Sequence, residues 1–106
     1  MNLIKTPQEF EKQFNESKLP IILDFYTDSC NPCKSLMLIL DRLSFEFKDE
    51  ILFLKTRADE NVVLAQQIGV TSVPTLIFVN KNKEIESAKG LITENAIRNK
   101  ILQILK

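Results

Sequence analysis

The chain has 106 residues, 44% of them hydrophobic, which is enough for one domain with a real core. Its 14 basic and 14 acidic residues cancel and its pI is near 6.3; no basic stripe points to nucleic acid and no polybasic segment to a membrane surface. No stretch has the length of a bilayer span or a signal peptide, so a cytoplasmic protein is expected, and two glycines are too few for a phosphate-cradling loop.

In chain order, Thr6-Pro7-Gln8-Glu9 reads as a capping box with proline at the first helical position, and Phe10 and Phe14 continue at i, i+4; a first helix over Pro7 to Ser17 follows. Three near-continuous apolar runs, Ile21 to Tyr26, Ile51 to Leu54 and Leu76 to Val79, lack alternation and predict strands buried on both faces. Between the first two, Leu36, Leu40, Leu43 and Phe47 recur at helical spacing across Lys34 to Phe47. Asp59-Glu60-Asn61 can cap a short helix, Val62 to Ile68, ended by Gly69. Glu84 to Ala88 is less apolar and reads as an edge strand, and Thr93 can cap a last helix whose inner face is Ile97, Ile101, Ile104 and Leu105. Strands separated by helices imply an α/β sandwich with helices on both faces of the sheet. The link between the last two strands is too short for a crossover, so they form an antiparallel hairpin and the sheet is mixed. No repeat, low-complexity segment or linker interrupts residues 1–106, which reads as a single domain.

The only cysteines lie in Cys30-Asn31-Pro32-Cys33, between the first strand-like run and the helix after it. Half of a zinc site is a poor account of them, because there is no third cysteine and no histidine to complete four ligands. A structural disulfide across a two-residue gap closes too short a loop to stabilise much. A reactive dithiol fits best, and redox chemistry on other molecules follows. Asp24 stands out within Ile21-Ile22-Leu23-Asp24-Phe25-Tyr26. A buried carboxylate there is costly without a partner or a task, and burial would raise its pKa into the range of a proton relay. Lys55, on a neighbouring strand, is the candidate partner; a solvated Asp24 at a strand end is the bland alternative.

Taken together these motifs resemble the thioredoxin-like superfamily over essentially the whole length. The matching residues are Asp24-Phe25, Cys30-x-Pro32-Cys33-Lys34, Lys55, Asp59, Val73-Pro74-Thr75 and Gly90, in order and at the family's spacings. The resemblance implies a thioredoxin fold, a central mixed five-stranded sheet flanked by about four helices. It also implies a protein-disulfide reductase with no cofactor beyond the Cys30–Cys33 pair. At the start of a helix, unpaired N–H groups and the helix dipole favour a thiolate on the first cysteine. Cys30 would then be the nucleophile, Cys33 the resolving thiol and Asp24 the proton relay, with Pro32 setting the first helical turn. The Val73-Pro74 bond would be cis, with the Val73 backbone pairing with substrate like an added strand, and Gly90 in the substrate-facing loop.

The chain departs from the family pattern at Ser29, where tryptophan is usual, and at Asn31, where glycine is usual. Leu38 replaces a helix-kinking proline, so a straighter helix is expected. Asn82 replaces a turn glycine, and Lys89 adds a charge beside Gly90. Ser29, Asn31, Pro32, Val73, Pro74, Lys89 and Gly90 form the expected substrate-binding set. Expected partners are disulfide-containing proteins and a flavin-dependent thioredoxin reductase, with the chain a monomer and no metal bound. Two other readings keep the same residues: an oxidant or isomerase, since the residues between the cysteines set the potential, and a binding subunit without turnover.

Overall fold

The computed structural model describes Met1–Lys106. In order it forms β1 (Asn2–Leu3), α1 (Pro7–Glu16), β2 (Ile21–Tyr26), α2 (Asn31–Glu46), β3 (Leu52–Arg57), α3 (Val62–Ile68), β4 (Thr75–Val79), β5 (Ile85–Lys89) and α4 (Glu94–Ile104). The sheet runs β1-β3-β2-β4-β5, with β1, β3 and β2 parallel and β4 and β5 antiparallel. This is the expected mixed five-stranded sheet with four helices.

Three of the four helices start on a side-chain cap. Thr6 Oγ1 accepts the Glu9 N–H at 3.1 Å, while the Glu9 carboxylate turns back to the Lys5 N–H at 2.7 Å, one residue earlier than in a standard capping box. Thr93 Oγ1 accepts the Ala96 N–H at 3.1 Å. Asn61 stands at the start of α3 but does not cap it with its side chain. Its amide instead donates to Thr56 Oγ1 at 3.2 Å, and that hydroxyl donates to Ile4 O, tying β1 to β3. Gly69 ends α3 at φ +91°, a conformation that costs glycine nothing.

Period-two alternation then sorts the core. Ile22, Phe53, Leu76 and Phe78 face Leu36, Leu40 and Leu43 of α2 and Ile97, Ile101 and Ile104 of α4. Ile21, Leu23, Phe25, Leu54, Ile77 and Val79 face Phe10 of α1 and Leu64 of α3.

Several boundaries differ from expectation. The two-residue β1 has too little pattern to be located by periodicity; only family resemblance supplied a fifth strand. β3 begins one residue after Ile51 and runs through Lys55 to Arg57, because pairing with β2 carries polar residues into the ladder. Helix α2 starts at Asn31 rather than Lys34, since proline fits the first turn. It runs without a break through Leu38, as the missing proline implies. In the β4–β5 turn the left-handed residue is Lys83 (φ +66°), not Asn82. Asn80 Oδ1 accepts the N–H groups of Asn82 and Glu84, and the Lys83 ammonium reaches Ser17 O at 2.9 Å; these bonds hold the turn without a glycine.

Candidate active site

The topology gathers the candidate residues at one end of the sheet. The C-terminal ends of β2, β3 and β5 and the N-terminal end of β4 share that end, because β4 is antiparallel to both of its neighbours. The chain leaves β2 at Tyr26, turns through Thr27–Cys30, with the Cys30 N–H on Thr27 O at 3.3 Å, and enters α2. Cys30 is the N-terminal cap of that helix. Its Sγ accepts the Cys33 N–H at 3.2 Å, and Lys34 N–H reaches Cys30 O at 3.2 Å.

Cys30 and Cys33 are joined in a disulfide, with Cα atoms 5.2 Å apart. Their environments differ. Cys30 is partly exposed, flanked by exposed Ser29, Asn31 and Pro32, whereas Cys33 is only 1% exposed. A partner molecule can therefore approach Cys30 and not Cys33.

Asp24 is fully buried in the middle of β2, which removes the alternative of a solvated strand-end carboxylate. Neither carboxylate oxygen has a hydrogen-bond partner. Alternation puts it on the same face as Ile22, toward α2. Burial pushes its pKa from an ordinary 3.8 to about 7; Lys55 pulls it down by less, and Asp41 pushes it up. Lys55 is the direct register partner of Asp24 across β2 and β3, but the two form no ion pair, so the coupling acts through space. Lys55 also lines, with Cys33, a cleft of about 260 Å³ whose other walls include Tyr26, Asp28, Lys34 and Arg57.

Val73-Pro74 is a cis peptide, and Pro74 is buried. Gly90, at φ +83°, donates its N–H to Pro74 O at 2.8 Å, and Lys89 is exposed opposite Thr75. The N–H and C=O of Val73 are not used by any other backbone group of the chain. Beside Val73 a groove of about 460 Å³ runs between Ala58, Asp59, Val62 and Val70.

Comparison with known proteins agrees with this geometry. The thioredoxin family profile matches residues 2–103. The chain belongs to the thioredoxin family. It is 34% identical to the thioredoxin of Rickettsia felis over 87% of this chain and 88% of the relative, and 33% identical to that of Haemophilus influenzae over 90% and 89%. Among solved structures it is similar to Fasciola hepatica thioredoxin, at TM-score 0.89 and 30% identity, covering 98% of this chain and 99% of the other. As a thioredoxin it is a thiol–disulfide oxidoreductase that reduces protein disulfides, and the close Cys30–Cys33 pair fits that chemistry. No helix is long and apolar enough to cross a membrane.

Sequence reasoning missed three residues at this end of the sheet: Tyr26, Asp28 and Arg57. Tyr26 and Arg57 sit on the α2-facing side by the same alternation that places Asp24 and Lys55, so the strand period carried a signal for them. Nothing in the sequence signalled Asp28, whose partner lies 29 residues away.

Proposed function

We propose the following division of labour among the site residues. The observation that carries it is the unequal exposure of the two sulfurs at the start of α2, with an unpartnered buried carboxylate on the strand before them. In the reduced protein the Cys30 thiolate attacks one sulfur of a target disulfide. A Cys30–target S–S bond forms, the target S–S bond breaks, and the departing target thiolate takes a proton from solvent. Cys33 then loses its proton to Asp24, which is suited to hold or release one near neutrality, and attacks Cys30 Sγ. The Cys30–Cys33 disulfide forms, the second target thiolate leaves, and two electrons have passed to the target. Lys55 tunes Asp24 through space. No cofactor enters these steps.

Substrate recognition is assigned to Ser29, Asn31, Pro32, Val73, Pro74, Lys89 and Gly90. The unused N–H and C=O of Val73 favour main-chain pairing with an extended target segment, and hence a broad range of disulfide proteins. A flavin-dependent thioredoxin reductase in the cytoplasm returns the pair to the dithiol, and the chain acts as a single-domain monomer over residues 1–106. Redox activity, partner and compartment thus form one reading.

A Cys33→Ser variant tests it. Incubated with oxidised protein substrates, it should accumulate covalent adducts through Cys30 that dithiothreitol releases, and Cys30→Ser should form none. An intact Cys33→Ser fold that traps nothing would remove the catalytic reading and leave a binding subunit.

A further inference from the structure

The Thr27–Cys30 turn sets the approach of Cys30 to α2, yet its two central residues, Asp28 and Ser29, are exposed and bury nothing. The turn is instead held from the neighbouring strand. Arg57 closes β3 as the register partner of Tyr26, and the Ala58 N–H donates to Tyr26 O at 2.8 Å, so the base of the Arg57 side chain is fixed. Its guanidinium lies over the Tyr26 ring, with Cζ 5.6 Å from the centroid, and its Nε–H is shared between both Asp28 carboxylate oxygens at 3.2 Å. Ring, guanidinium and carboxylate thus form a strap from β3 to the residue two before Cys30.

We propose that Arg57 is a positioning residue for Cys30: through Asp28 it holds the Thr27–Cys30 turn so that Cys30 Sγ stays on the Cys33 N–H at the start of α2. The inference rests on the reductase reading for its purpose, but its geometry does not. The side chains are 32% and 73% exposed, and an ion pair in that setting adds little to global stability. Its effect is local. A thiolate at this position is favoured by the free N–H groups of the first helical turn, and a turn free to swing takes the sulfur away from them. Ser29 supplies no apolar cover that could hold the turn in another way.

A purely electrostatic account makes the opposite prediction for one substitution. The charged and titratable groups around this end of α2 are Lys34, Lys55, Arg57 and Asp28, which line the cleft beside Cys33, together with Asp24 on β2 and Glu60 near Tyr26, both unchanged in every variant below. If charge alone mattered, Asp28→Asn would remove an anion, free the Arg57 cation and make Cys30 more reactive. If the strap positions the sulfur, Asp28→Asn makes it less reactive.

The test is the rate of Cys30 alkylation by iodoacetamide in the fully reduced chain across pH 5–9, with Asp28→Asn, Arg57→Gln and the double variant. Each single change should slow alkylation at pH 7 about two- to fivefold and move the midpoint of the profile upward, the range an exposed ion pair can supply. The double variant should be no slower than either single, because both break one strap. Asp28→Asn keeps the shape of the wild-type side chain, so its result stands even if Arg57→Gln loosens the packing on Tyr26. An unchanged or faster Asp28→Asn, or single effects that multiply in the double variant, would overturn the proposal. A wild-type chain that alkylates as expected but does not reduce a protein disulfide would overturn the reductase reading and leave the strap intact.

Discussion

At the residue scale, Asp24 has the most to say. Its burial without a hydrogen-bond partner is costly in the ionised form, so the folded protein holds a proton that the unfolded chain gives up. Between its ordinary 3.8 and about 7, the native state binds more protons than the unfolded state, so stability falls as pH rises through that window and is flat above it. The total is on the order of 4 kcal/mol. Asp24→Asn should abolish this slope, and denaturant unfolding at pH 5 and pH 8 would read it; a wild-type protein equally stable at both would contradict the burial argument. The same variant should slow resolution of the mixed disulfide about a hundredfold while leaving the first attack by Cys30 nearly unchanged, as stopped-flow measurement of the two phases would record. The residue pattern made Asp24 conspicuous because a carboxylate interrupts an apolar run. Its missing ion pair with Lys55 was not legible, because register places two residues side by side without saying whether their side chains meet.

At the element scale, the sequence was clear where a helix or strand carries its own signal and vague where the signal comes from elsewhere. β2 and α3 fall where their apolar runs and end residues put them, and Thr6 and Thr93 cap their helices. β1 exists because it pairs in parallel with β3, and the last three residues of β3 are strand because β3 pairs with β2; no local pattern announces either. The start of α2 shows the same limit: Leu36, Leu40 and Leu43 mark its buried face, but only the cap geometry of Cys30 extends it back to Asn31. Thr93→Ala should cost about 1 kcal/mol, because it leaves the Ala96 N–H without a partner where α4 begins to bury Ile97, Ile101 and Ile104. Urea denaturation would show this as a lower midpoint with an unchanged slope.

Across the whole molecule, α2 joins the redox pair to the core, its Leu36, Leu40 and Leu43 packing on the sheet, so the redox state and the fold are linked. Cys33 is the one buried residue in the first turn of α2, and the bridge closes a loop of only three-residue separation. A loop this short sits at the small end of the chain-entropy scale, so reducing it should lower stability by less than about 2 kcal/mol, measurable as a slightly lower Tm in dithiothreitol than in air. A stability gain on oxidation and a low redox potential are two views of one cycle. Equilibration in glutathione buffers should therefore give a potential near or below about −250 mV; a value near or above about −200 mV would describe an oxidant or isomerase. The fold was legible because buried strands and amphipathic helices alternate along the chain. The assembly of Cys30, Pro74 and Gly90 at one end was legible only by resemblance, since it follows from the antiparallel placement of β4.

The strand order has one more consequence. With 14 charges of each sign and a pI near 6.3, copies of this chain repel one another weakly around neutral pH. Something other than net charge must discourage stacking into fibrils. The two borders of the sheet supply it: β1 is only two residues long, and the outer border, β5, places charged Glu86 and Lys89 along five mostly exposed residues. Neither offers a long, flat, apolar ladder for another copy to extend. Colloidal resistance in this protein is a property of its margins, and a β5 rewritten with valines should be the quickest way to lose it.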